Sequence, residues 1–211
     1  MAIIYVYVEM QEEQLYIPLF PLDIFLLPGE QMPLHIFEPR YRQLLEEVEE
    51  LGLEFGLPFG HEAPNLGYVS VCRLLKVTKR YESGESDVII EALRIAELKG
   101  FEPAFSGKLY PGGFVKEWKN EVLNRKPSAA LVEVFIEYIK LKYGTQPLSS
   151  NIQTYRLIDL AASIALSSSD KIKLIQLDSA DRQSQFLTKS IHYLNLLLAQ
   201  EKSYENGFIL N

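Results

Sequence analysis

The chain has 211 residues, a formal net charge of −7, one cysteine, and a composition that is 47% hydrophobic and 23% charged. These values exclude a disordered chain, a fibrous repeat and a disulfide-stapled mini-protein, and a chain of this length buries roughly 70% of its unfolded surface without help from a metal. The lone Cys72 allows neither an intrachain disulfide nor a Cys-rich zinc site, and the acidic balance makes nucleic acid an unlikely partner.

The apolar opening Ala2–Val8 is too short to span a bilayer and lacks a basic start, and no other segment reaches eighteen uninterrupted apolar residues. The expectation is a soluble cytoplasmic protein with no membrane partner and no cofactor. Character changes near Asn124: nine of the eleven prolines precede it, and helical spacing follows it. This predicts an α+β chain, with a β-rich subdomain over 1–123, an α-helical bundle over 124–202 and a flexible tail over 203–211.

In chain order, Ile3–Val8 and Leu15–Leu19 read as strands. Phe20–Gly29 holds Pro21 and Pro28, which exclude a regular helix, and Pro28-Gly29 signals a turn. Met32–Phe37 is extended. Pro39 then suits the first position of a helix whose stripe is Tyr41, Leu44, Leu45, Val48 and Leu51, ended by Gly52. Gly67–Tyr81 predicts a long strand with Val69, Val71, Leu75 and Val77 on one face and Cys72 on the other. The loop at 82–86 turns the chain into Asp87–Leu93, with Ile95–Phe101 as a further strand. Short strands around one inserted helix suggest a small barrel.

In the back half, Leu131, Val134, Phe135, Tyr138 and Leu141 form one stripe. Ser150–Gln153 reads as a capping box before an almost wholly apolar helix from Tyr155 to Leu166. Ser168 or Ser169 caps a short helix through Leu177. Asp178 or Ser179 caps the last helix, with Phe186, Leu187, Ile191, Leu194, Leu197 and Leu198 inward.

Catalytic signatures are missing. There is no phosphate-binding G-x-x-x-x-G-K-[ST] loop, no G-x-G-x-x-G, no G-x-S-x-G elbow, and His61-Glu62 is not followed by a second zinc-ligand histidine. Cys72 reads as packing, His35 as a structural hydrogen-bonding histidine, and Ser167–Ser169 as helix caps rather than nucleophiles served by Lys171. Glu46, Glu47, Glu49 and Glu50 read as a solvated helix face. Trp118 reads as packing rather than base stacking. The alternatives are a small enzyme with a site assembled in three dimensions, and an RNA binder using Lys76, Lys79, Arg80 and Tyr81. Arg40 and Arg42 sit at the positive end of their helix, opposing its dipole by roughly 0.3–1 kcal/mol for each exposed charge. That order predicts that one of them pairs with carboxylates elsewhere, Glu38 and Glu91 being the candidates, and fixes the helix onto the β part.

The runs Pro18-Leu19-Phe20-Pro21-Leu22, Leu27-Pro28-Gly29 and Pro33-Leu34-His35-Ile36-Phe37-Glu38-Pro39-Arg40-Tyr41-Arg42 resemble the opening signature of the Lon protease N-terminal domain family. Weaker similarity continues through Phe55-Gly56, Asp87–Ile95 and Tyr155–Ala161, so the resemblance runs from about residue 15 to 200. It implies a PUA-like six-stranded β-barrel followed by a helical bundle. In full-length Lon this domain precedes an ATPase module and a Ser–Lys peptidase module, engages unfolded or tagged substrates and supports assembly; a related domain in cereblon is a docking platform. Neither the nucleotide loop nor the peptidase dyad region is present here.

The expectation is therefore a stand-alone, non-catalytic module that binds unfolded or partner polypeptides. A separate protease or chaperone system and a homodimer are further expected associations. Pro21, Gly29, His35, Glu38, Pro39, Arg40 and Arg42 form the structural motif, and Leu19, Phe20, Leu22, Ile36 and Phe37 read as core. Four consecutive apolar residues, Ile24–Leu27, cannot all face one side of a strand. Part of this run is therefore expected at the surface, and the expected polypeptide contacts are Phe25, Leu26, Tyr110, Phe114 and Trp118.

Overall fold

A computed structural model describes residues 14–59, 67–105, 107–119, 121–144 and 154–208. The strand expected at Ile3–Val8, His61 and the Ser150–Gln153 capping box lie outside the described residues. Two compact units divide after Lys119.

The first unit is an antiparallel sheet of β1 (Gln14–Pro18), β2 (Gln31–Ile36), β3 (Phe55–Pro58), β4 (Tyr68–Arg80), β5 (Ser86–Glu102) and β6 (Gly112–Glu117), with α1 (Pro39–Leu51) inserted. The strand order is β1-β6-β5-β4-β3, and β2 also pairs with β5. The chain after β1 returns to β3: Leu19 bridges Gly56, and the Phe20 N–H donates to the Gly56 carbonyl at 2.7 Å. This contact closes the sheet on itself, which removes two open edges. Gly56 permits the closure, because a Cβ there would lie 2.7 Å from the side chains of Leu19 and Val69.

The expected strands at Asp87–Leu93 and Ile95–Phe101 are one continuous strand, β5, with irregularities at Leu93 and between Leu98 and Gly100. The β4–β5 register shifts three times, with Leu93 of β5 and then Leu75 and Thr78 of β4 as the extra residues. Each shift reverses which side chains face inward. By alternation Val69 and Val71 enter one apolar cluster with Ile17, Leu19 and Leu98 and Cys72 enters another with Phe20, Leu44 and Val88; beyond the extra Leu75, Val77 joins the Cys72 cluster and not the Val69 face expected of it. Leu75, expected on the buried face, is 41% exposed for the same reason.

The Ile24–Leu27 run is not a strand, and its expected exposure is overturned: Phe25, Leu26 and Leu27 are all buried. A segment without a strand partner must find other partners for its backbone. The buried Ser70 hydroxyl accepts from the Leu26 N–H and donates to the Leu26 carbonyl, both at 2.8 Å, and Glu30 accepts from the Leu27 N–H at 2.7 Å. Three apolar residues, Phe25–Leu27, are thus threaded through the core on two side-chain clamps, and Ile24 is half-buried.

The second unit holds α2 (Ala129–Tyr143), α3 (Leu157–Ser163), α4 (Ser168–Gln176) and α5 (Ala180–Phe208). Leu131, Phe135 and Tyr138 of α2 are buried, and α2 packs on α5. The apolar helix is shorter than expected. The Asp159 carboxylate accepts from the Arg156 N–H and from its guanidinium at the start of this helix, which ends before Ile164. Ser167, one residue earlier than expected, caps α4, and Ser179 accepts from the Arg182 N–H at the start of α5. Helix α5 runs to Phe208, so the tail expected from 203 is helical that far. Leu197 is exposed rather than inward, while Gln183, Leu187, Ile191 and Asn195, spaced four apart, face inward. Among the described residues no helix is long and apolar enough to cross a membrane.

Candidate functional site

The end of β2, the start of α1 and the β4–β5 hairpin meet on one surface of the first unit. Helix α1 begins at Pro39 with Glu38 as a cap whose side chain bonds no backbone N–H of the first turn, and ends in Gly52 at φ 64°. Its stripe holds as expected at Tyr41, Leu44, Leu45 and Val48, but Leu51 is exposed. A water-sized gap in the packing, about 20 Å³, lies between α1 and the sheet; the buried Ile36, Tyr41, Leu44, Leu45 and Val88 are among its lining.

The two arginines have different fates. Arg40 pairs with Glu38 two residues away, at 2.8 Å, and its guanidinium lies 4.6 Å from the Tyr41 ring centre. That contact is local to the helix start. Arg42 Nε donates to the Phe37 carbonyl and Nη1 to the Ser83 carbonyl, both at 2.8 Å, with Glu85 at 3.8 Å. It is Arg42 that ties α1 to the hairpin. Glu91, expected as a partner, pairs with Arg73 instead. Gly84 makes room for the tie: its φ is +86°, and a Cβ there would lie 2.9 Å from Arg42 Nη1. The unfavourable position of Arg42 against the helix dipole is offset by two charge-assisted bonds to carbonyls.

Arg42→Gln is expected to lower stability by about 1–2 kcal/mol, since hydrogen bonds to charged groups contribute about 1.5–3 kcal/mol when more buried than these. Arg40→Gln, at a half-exposed local ion pair, is expected to cost less than about 0.5 kcal/mol. Urea denaturation of the two variants checks this asymmetry.

Phe37 stands next to this tie and is 56% exposed, which corrects its expected place in the core. Its carbonyl is held while its ring is displayed. The His35 ring lies roughly parallel to it at 6.1 Å, and Tyr81 meets His35 edge-on at 5.7 Å. His35 Nδ1 is 2.7 Å from Asp87 Oδ1, and Tyr81 donates to Asp87 Oδ2 at 2.8 Å. These hydrogen bonds, His35 first, hold the Asp87 carboxyl below its usual range. The arrangement presents three aromatic rings on a fixed backbone.

The expected contact residues do not gather into one surface. Phe25, Leu26 and Tyr110 are buried, so the polypeptide contact expected of them is corrected: Tyr110 donates to Glu47 at 2.7 Å beneath α1. Phe114 is 38% exposed and heads an aromatic ladder that runs inward through Tyr16 and Phe105 to Tyr110, with ring separations of 4.7, 4.8 and 5.7 Å. Trp118 is half-buried and meets Tyr68 edge-on at 5.7 Å. Of the motif residues, Gly29 has φ +88° at its turn, Pro21 is buried, and His35, Glu38, Pro39, Arg40 and Arg42 converge on the displayed surface. Sequence reasoning missed Phe37 and Tyr81 as surface partners and Ser70 as a clamp; the reversed charge order of α1 was the signal for the first.

Among the described residues no three His, Cys, Asp or Glu side chains are grouped to hold a metal ion. Burial pushes the Cys72 thiol up to about 12, which keeps it protonated at neutral pH and a poor nucleophile. In the basic cluster, Arg80 is paired with Glu49, and Lys79 lies 4.2 Å from the Tyr81 ring centre.

Residues 16–192 match the family model described as the ATP-dependent protease La (LON) substrate-binding domain. Comparison with curated proteins returns no match. Among solved structures, the chain is similar to a Lon N-terminal domain protein from Xanthomonas campestris at 20% identity and a TM-score of 0.60, covering 82% of this chain and 96% of that one. It is also similar to the N-terminal domain of the Mycobacterium avium complex Lon protease at 15% identity and a TM-score of 0.54, covering 84% and 98%.

Proposed function

Because the chain belongs to the Lon substrate-binding domain family, we propose that it is a non-catalytic module that binds unfolded or partner polypeptides through the surface around Phe37. The observation that carries this reading is Phe37 itself: a large apolar ring, 56% exposed, on a backbone that Arg42 pins to the hairpin. Displaying such a ring to water is unfavourable by itself, whereas a rigid aromatic anchor loses little conformational freedom on binding.

The test is fluorescence anisotropy with a fluorescein-labelled, reduced and carboxymethylated model protein as the unfolded probe. Wild type is expected to bind at micromolar concentration, and Phe37→Ala to bind about tenfold more weakly, or about 1.4 kcal/mol. No binding at tens of micromolar overturns the function. Unchanged binding by Phe37→Ala overturns its placement at this surface.

A further inference from the structure

His35 lies between two carboxylates that belong to different parts of the fold. Its Nδ1 is 2.7 Å from Asp87 Oδ1 on β5, and its Nε2 is 3.5 Å from Glu85 Oε2 in the β4–β5 loop. A neutral imidazole carries one N–H and can donate to only one of them; its other nitrogen then presents a lone pair to a carboxylate oxygen. Only the imidazolium donates toward both. We infer that His35 is a proton-operated latch: its protonated ring joins β2 to the β4–β5 hairpin, and loss of the proton loosens the hairpin tip.

The charge environment fits this device. On β5 the Asp87 carboxylate faces the ring, and on the loop Glu85 does. At the end of β4, the Tyr81 hydroxyl donates to Asp87 and Lys79 lies over the Tyr81 ring. On α1, Arg42 lies 3.8 Å from Glu85. Arg42 shares Glu85 with the imidazole, and the two carboxylates, Asp87 and Glu85, face the ring from β5 and the loop. Asp87, held below its usual range, is still an acceptor in mildly acidic solution. Imidazoles titrate between about pH 5 and 8, a range in which ordinary carboxylates and guanidinium groups keep their charges. It goes beyond polypeptide binding, and its test needs no ligand.

Two hairpin amides report the latch: the Tyr81 N–H donates to the Glu85 carbonyl at 3.0 Å, and the Gly84 N–H donates to the Tyr81 carbonyl at 2.9 Å. Hydrogen exchange of the whole chain by NMR, corrected for the intrinsic pH dependence of exchange, measures their protection. From pH 5.5 to 8 we expect their protection to fall at least fivefold. The Trp118 N–H, bonded to the Ile95 carbonyl, serves as the control and is expected to stay constant. His35→Gln is expected to make the profile flat. Glu85→Gln, whose amide can donate to the neutral ring, is expected to reduce the change to less than twofold. Wild-type protection constant within twofold, a fivefold change that survives His35→Gln, or an equal change at Trp118 overturns the latch.

Discussion

Gly113→Ala is expected to destabilise the barrel by about 3 kcal/mol, the upper end of the cost of overfilling a packed core. Gly113 is on β6, opposite Ile17 of β1 and Phe101 of β5. A Cβ added there would lie 2.5 Å from the Gly100 carbonyl oxygen, 2.7 Å from Leu19 Cδ1 and 3.0 Å from Leu98 Cδ1. The first neighbour is backbone within the β5 ladder, so it cannot swing aside as a side-chain tip can. The Leu19 and Leu98 side chains are themselves buried, at 0% and 3% exposure. The penalty is one of space and not of backbone angle, since Gly113 is not among the glycines with positive φ. Urea denaturation followed by the fluorescence of Trp118, in the same unit, measures the loss. A change below about 0.5 kcal/mol would show that β5 and β6 can separate at little cost, contrary to this packing.

Gly113 also illustrates which parts of this fold a reader of the sequence can reach. Patterns that repeat locally were legible. The Tyr41–Val48 stripe, the Gly52 stop and the long β4 strand follow from spacing and turn residues. What depended on a partner far along the chain was not. Nothing in the run Ile24–Leu27 reveals that Ser70, forty-four residues later, satisfies both backbone groups of Leu26 and lets Phe25, Leu26 and Leu27 sink inward. The register shifts of β4 against β5 are likewise set by that pairing, and the one between Leu74 and Lys76 turns Leu75 outward although strict alternation places it inside.

The displayed surface was half legible for the same reason. The arginines at the positive end of α1 signalled that something other than local helix energetics had chosen their position. Which carboxylate or carbonyl answered them was a matter of tertiary geometry: Arg42 found the Phe37 and Ser83 carbonyls, and Glu91 went to Arg73. The resulting tie holds Phe37 outside the core, where its apolar character alone would not place it. His35 was recognisable as a hydrogen-bonding residue. That both its nitrogens face carboxylates, one on β5 and one on the loop, required the hairpin to be folded.

In the helical unit the stripe on α2 treats Val134 and Phe135 alike, and burial separates them. Phe135 is 1% exposed, whereas Val134 is only half-buried. The Phe135 ring lies 6.3 Å from Tyr138 on its own helix and 6.3 Å from Tyr155, which precedes α3. Removing it deletes a large buried side chain and two aromatic contacts that themselves contribute about 0.5–1.5 kcal/mol each. Phe135→Ala is therefore expected to cost about 3–5 kcal/mol, Phe135→Leu about 1–2 kcal/mol because most of the volume is kept, and Val134→Ala about 1 kcal/mol or less. Circular dichroism at 222 nm during urea denaturation reads the helical content on which the comparison rests. If Phe135→Ala and Val134→Ala prove equally mild, then α2 is not held by this ring, and the packing of α2 on α5 rests on Leu131 and Tyr138 instead.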